Sequence, residues 1–77
     1  MCEVRFPALS RDDPETVGVV STWFVRDGDS VRTDDVVAEV QVDKVAAEVL
    51  ATGAGRIHLL APEDAEVRQG ELIATID

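Results

Sequence analysis

The stretch Val36-Val37-Ala38-Glu39-Val40-Gln41-Val42-Asp43-Lys44-Val45-Ala46-Ala47-Glu48-Val49-Leu50-Ala51 decides the fold. Two β-branched, apolar runs flank a dipeptide that favours a turn, which is the pattern of a β-hairpin. With Asp43 and Lys44 as a two-residue loop, Val42 faces Val45, Val40 faces Ala47, Ala38 faces Val49 and Val36 faces Ala51. Each pair on that face is apolar. The other face sets Gln41 against Ala46 and Glu39 against Glu48, a like-charge pair that is tolerable only in water. A slip of one residue destroys this separation, so the register is well specified. The tip lacks the glycine that favours I′ or II′ turns, which leaves the turn type open. Lys44 is the single lysine of the chain, and the other six cations are arginines. A lysine amine can deprotonate and be acylated, whereas a guanidinium stays charged. A unique lysine at an exposed hairpin tip therefore marks an attachment point.

Outward from the hairpin the chain remains β. Glu3-Val4-Arg5-Phe6 alternates and is stopped by Pro7, and Val17 to Val25 is apolar and β-branched. The polar segment Ser10 to Thr16 between them is a surface loop. Arg26-Asp27-Gly28-Asp29 is a turn that leads to a short piece around Val31. Beyond the hairpin, Thr52-Gly53-Ala54-Gly55 is a glycine loop, Arg56 to Ala61 a strand, Pro62 to Ala65 a turn and Glu71 to Ile76 a last strand. No segment of about 10 residues keeps a helical period free of Gly or Pro. The expected class is all-β.

An internal repeat refines this expectation. Gly18 to Gln41 aligns with Gly55 to Asp77, with one residue fewer in the second copy. Val31-Arg32 matches Val67-Arg68, Val36-Val37-Ala38 matches Leu72-Ile73-Ala74, Val40 matches Ile76, and the turn 26–29 matches Glu63 to Glu66. Two units too short to fold alone predict a two-fold symmetric sandwich of two short sheets that share one core.

Composition narrows the functions. Seventy-seven residues make one small domain, and 45% apolar content suffices for a folded chain. A formal charge of −9 disfavours nucleic acid and anionic membranes. No apolar run is long enough for a membrane helix, and the N-terminus has no signal-peptide pattern. Cys2 is alone, which excludes a disulfide framework within the chain and favours a reducing compartment.

Catalytic groups are scarce. His58 is the only histidine and there is no tyrosine, and Ser10, Ser21 and Ser30 sit in no nucleophile elbow. His58 is expected on the outer face of a strand. Transition-metal ligands are not clustered, and Asp12-Asp13, Asp34-Asp35 and Glu63-Asp64 have no EF-hand spacing. Trp23 is expected in the core.

The runs Val17 to Val31 and Asp35 to Val45, with the Asp43-Lys44 pair at their end, resemble the lipoyl domains of 2-oxo acid dehydrogenase complexes, and the resemblance covers nearly the whole chain. It implies a flattened β-barrel or sandwich over residues 1–77 with quasi-two-fold symmetry, and lipoate amide-linked to Lys44. Asp43 and Val45 fall in the tip-recognition positions, and Gly28 and Gly55 match two glycines tied to tip geometry and ligase recognition. The related biotinyl domains carry Met-Lys-Met at the tip, where this chain has Asp43 and Val45. The resemblance implies a non-catalytic carrier within a dihydrolipoyl acyltransferase. Its partners would be a thiamine-diphosphate-dependent 2-oxo acid dehydrogenase, the acyltransferase core, the flavoprotein dihydrolipoyl dehydrogenase, and a lipoate ligase or lipoyl transferase.

Departures from the family pattern are local. Val42 stands where Thr or Ser is common, and Gln41 replaces a frequent glutamate, as in branched-chain-type members. The Ser10–Thr16 loop is longer and more acidic than usual. In the family this loop helps the dehydrogenase know its carrier, which assigns Asp12, Asp13 and Glu15 to partner recognition. Met1 directly before the first strand suggests a natural start, Asp77 a cut before a linker, and a bacterial cytoplasm is the expected location. A biotin carrier and an unmodified acidic interaction domain stand as alternatives.

Overall fold

The computed structural model describes residues 2–10 and 15–77. Eight strands run in order: β1 (Cys2–Arg5), β2 (Val17–Trp23), β3 (Ser30–Val31), β4 (Val36–Val42), β5 (Val45–Leu50), β6 (Gly55–Leu59), β7 (Glu66–Arg68) and β8 (Leu72–Ile76). No helix occurs among the described residues. The strands form two four-stranded antiparallel sheets, ordered β1-β8-β6-β3 and β5-β4-β2-β7, which pack as a flattened sandwich rather than a closed barrel. Every strand sends at least one side chain into the shared core: Val4, Val20, Val31, Val40, Val49, Ile57, Val67 and Ile76. No polar or charged residue is buried among the described residues.

The predicted symmetry is present strand by strand. Exchanging β1 with β5, β2 with β6, β3 with β7 and β4 with β8 converts one sheet into the other. The hydrogen bonds repeat with it. Gly28 N donates to Ile57 O (2.7 Å) and Ile57 N to Asp29 O (2.9 Å), while Asp64 N donates to Val20 O (2.7 Å) and Val20 N to Ala65 O (3.1 Å). The turn 26–29 therefore corresponds to Pro62-Glu63-Asp64-Ala65, one residue earlier than the sequence alignment set it. The cause lies inside β2, whose pairing with β4 is irregular between Val20 and Thr22. Ser21 is the extra residue of the first copy, a bulge that β6 lacks in its regular pairing with β8. Glu66–Arg68, not expected as a strand, is the mate of the equally short β3.

One expectation for the hairpin is corrected. Val42–Val45, Gln41–Ala46, Val40–Ala47, Glu39–Glu48 and Ala38–Val49 pair as predicted, but Val36 lies opposite Leu50 rather than Ala51. The register shifts between Val36 and Ala38, so two consecutive residues leave the alternation. Val37 turns into the core at 0% exposure and Val36 turns out at 36%. In the other sheet β1 skips Ile73 in the same way, between Val4–Ala74 and Arg5–Leu72. Trp23 is likewise half-buried at the rim of the core rather than inside it. Its Nε1–H donates to Ala61 O (2.8 Å), and satisfying that donor keeps one edge of the indole outward.

Candidate functional site at a hairpin tip

Asp43 and Lys44 are the two loop residues between the paired Val42 and Val45. Asp43 has φ +56°, and Lys44 is not among the residues with positive φ. Positive φ at one loop position alone excludes the I′ turn, which requires it at both. Aspartate fills this glycine-favouring position because its short polar side chain tolerates the left-handed region. The Gln41 amide donates from Nε2 to Asp43 O (3.0 Å) and braces the tip. Val42 is buried beneath it, so the loop stands on a fixed base. Asp43, Lys44 and Val45 are all exposed, Val45 at 52%. No carboxylate lies within ion-pair distance of Lys44 among the described residues, so its amine projects free of a charged partner.

Beside the tip opens a groove of about 440 Å³, lined by Val17, Val19, Ser21, Gln41, Asp43 and Asp64. It lies over the β2–β4 seam, where Val19 pairs with Gln41. The sequence patterns gave no sign of Asp64 as its neighbour. The β7–β2 pairing and the Asp64 N to Val20 O bond bring that turn across.

The structure gathers Asp43, Lys44 and Val45 but places Gly28 and Gly55 together elsewhere. Both glycines belong to the sheet that lacks the hairpin: Gly28 bonds Ile57 of β6, and Gly55 opens β6 opposite Val31. Gly28 has φ +92° and Gly55 φ +149°, and a Cβ on Gly55 would collide with Asp77 O. Asp12 and Asp13 lie outside the described residues, and Glu15 is exposed in a turn just before β2. His58, partly exposed on β6, meets Asp77 (Nε2 to Oδ2, 2.7 Å). Among the described residues no group of three or more His, Cys, Asp or Glu could hold a metal ion. No helix there is long and apolar enough to cross a membrane.

A covalently attached group fits this tip. The amine is exposed, the turn is braced, and no buried polar atom among the described residues lacks a partner, so the interior calls for no ligand. The family model described as "Biotin-requiring enzyme" matches residues 2–76. The dihydrolipoyllysine-residue acetyltransferase component of the pyruvate dehydrogenase complex of Zymomonas mobilis is 38% identical over 76 residues, covering 96% of this chain and 17% of that protein. The lipoamide acyltransferase component of the branched-chain alpha-keto acid dehydrogenase complex of Bacillus subtilis is 43% identical over 63 residues, covering 80% of this chain and 15% of that protein. This chain thus spans only a small part of the length of these relatives. The solution structure of the lipoyl domain of the 2-oxoglutarate dehydrogenase complex from Azotobacter vinelandii superposes with a TM-score of 0.79 at 28% identity, covering 100% of this chain and 96% of that one. Matched from Cys2 to Ile76, with a lone lysine raised on the β4–β5 turn, the chain belongs to the biotin/lipoyl domain family.

Proposed function

We propose that residues 1–77 form a lipoyl carrier domain of a 2-oxo acid dehydrogenase acyltransferase, with lipoate joined through an amide to Lys44. The observation that carries this reading is the placement of the chain's single lysine on an exposed, braced two-residue turn. Its Asp43 and Val45 flanks support lipoyl over biotinyl attachment, and the relatives with this cofactor in their names support it further.

When bound, lipoate would supply a dithiolane able to take an acyl group at a thiamine-diphosphate dehydrogenase, yield it to coenzyme A at the acyltransferase core, and be reoxidised by the flavoprotein dihydrolipoyl dehydrogenase. The chain's own residues do different work. Lys44 is the tether, and amide formation removes its positive charge. Asp43 holds the left-handed corner that aims Lys44 outward and, with Val45, offers the surface a lipoate ligase meets. Gly28 and Gly55 act at longer range, Gly28 by taking the positive φ of the turn that bonds β6 and Gly55 by leaving room for the carbonyl of Asp77. Asp12, Asp13 and Glu15 serve partner recognition at the loop before β2. Tethering raises the effective concentration of the arm at each partner site, so a domain with no catalytic group still governs flux. A bacterial cytoplasm is the compartment that suits a lone free cysteine.

Intact mass after co-expression with a lipoate ligase, and separately with a biotin ligase, tests this assignment. We expect the lipoyl adduct on the wild-type chain and none on Lys44→Arg. A biotin adduct instead would move the domain to a carboxylase. No adduct in either case would leave an acidic interaction domain.

A further inference from the structure

The groove beside the tip is built from residues that its two-fold mate lacks. Its floor is Val17 and Val19 of β2, the first exposed and the second half-buried. Gly18 pairs with Val67 as Gly55 pairs with Val31, so the mates of these valines are Ala54 and Arg56. Asp64 corresponds to Gly28 of the other turn. Gln41 corresponds to Asp77, which bonds Arg56 through both N and O as Gln41 pairs with Val19. Ser21, the bulge residue of β2, has no mate at all. The equivalent place on the other sheet therefore carries a guanidinium where this one has a valine. An apolar floor with a few polar groups around it is the make-up of a ligand cleft, and it stands in the copy beside Lys44.

The occupant that fits is the chain's own modified lysine. Asp43, the residue before Lys44, lines one wall, and β2 carries the lining from Val17 to Ser21, four residues or about 13 Å of strand. A lipoyl group is a methylene chain ended by an apolar dithiolane, joined to the lysine through an amide with one N–H. The two valines suit the methylenes. For the N–H, Gln41 offers Oε1, which has no partner among the described residues, since Gln41 bonds Asp43 O through Nε2. Amide formation also removes the charge that keeps a free ammonium in water, so the loaded arm enters an apolar cleft where the bare lysine does not. Tethering then supplies the concentration: an arm anchored one residue from the groove meets it at an effective concentration on the order of millimolar, so weak contacts suffice.

We propose that the groove of Val17, Val19, Ser21, Gln41, Asp43 and Asp64 is a resting berth for the lipoyl arm between its visits to partner sites. This rests on the lipoyl reading above. The berth sets the fraction of the arm that is free at any moment, and each partner site binds the arm more weakly by that fraction.

NMR of the isotope-labelled chain, before and after loading, tests the berth. Because Lys44 is the single lysine, an active ester of lipoic acid loads it without a ligase, and Lys44→Arg treated alike reveals any signal from the N-terminal amine. Nuclear Overhauser contacts should run from the arm's methylenes to the methyls of Val17 and Val19, and be absent in Lys44→Arg. In Val19→Arg, which installs the residue of the two-fold mate, the contacts to the arm should vanish while those pairing β2 with β4 persist. Val17→Ser, at an exposed position, serves the same purpose if Val19→Arg fails to fold. Reduction of the dithiolane by a neutral water-soluble phosphine gives a second measure. An arm docked about two-thirds of the time is reduced about threefold more slowly than a free one, so reduction should quicken about threefold in Val19→Arg and by less in Val17→Ser. No contact between arm and groove in the loaded wild type, or equal reduction rates in wild type and variants, would overturn the proposal. Failure of the lipoyl reading is a separate result. A chain that no lipoate ligase modifies, but whose chemically loaded arm still meets Val17 and Val19, loses its carrier assignment and keeps the berth.

Discussion

At the level of single residues, backbone sign decides more than side-chain chemistry. Asp43 occupies a left-handed corner at φ +56°, which Asn and Gly share readily and a β-branched residue does not. Urea unfolding of Asp43→Asn and Asp43→Gly should give stabilities within about 0.5 kcal/mol of wild type, against a loss of about 1–2 kcal/mol for Asp43→Val. The same measurement should rank Gly55→Ala well below Gly28→Ala. Open space surrounds Gly28, so alanine there meets only the cost of positive φ, about 1 kcal/mol. At Gly55 the added methyl also strikes the carbonyl of Asp77 and forces the β6–β8 seam apart. Lys44 was legible from the sequence because uniqueness is a property of composition. The corner at Asp43 was not, since aspartate is common in turns of either hand.

Among elements, the bulges carry the lesson. Strict alternation along β4 sends Val36 inward, and the structure sends Val37 instead. An unfolding comparison reads this directly: Val36→Ala should cost under about 0.5 kcal/mol, and Val37→Ala about 2 kcal/mol for the cavity it leaves. Equal costs would mean that β4 runs without its register shift. The clue was present in the repeat, where Val36-Val37-Ala38 aligns with Leu72-Ile73-Ala74. Three apolar residues in succession, twice, fit no single alternation, and a bulge lets two consecutive residues change their facing. Ser21 was harder to find. A one-residue length difference shows that a bulge exists but not where it lies, and only the pairing between Val20 and Thr22 locates it. Trp23, two residues on, sits at the core's rim rather than within it.

For the molecule as a whole, the core belongs to neither sheet. Each sheet supplies one face, Val20 and Val40 from one and their mates Ile57 and Ile76 from the other, so neither sheet has a complete interior. The sequence repeat made this architecture legible, and the apolar face of the hairpin fixed its register. What stayed hidden was which distant residues the loops bring together. Sequence distance does not show that Gln69 lies against residues 10 and 16, 59 and 53 positions away. A lone glutamine in a loop carries no pattern of its own.

The hairpin that raises Lys44 has a counterpart of a different kind. Where β4 turns into β5, the opposite sheet has the end of β8 beside the start of β1, with Ile76 against Cys2 as Val40 lies against Ala47. In connectivity the molecule is a ring of eight strands, opened at one of two equivalent points. Six residues bridge Val40 and Ala47, and the same number would bridge Ile76 and Cys2. A circular permutant closed there and opened between Asp43 and Lys44 should keep the strand order of both sheets, checked by the dispersion and cross-strand contacts of its NMR spectrum. Its lysine, now a chain end without a turn beneath it, should no longer be lipoylated. Folding and attachment would then part company, since the ring needs one opening and the cofactor needs the other closed.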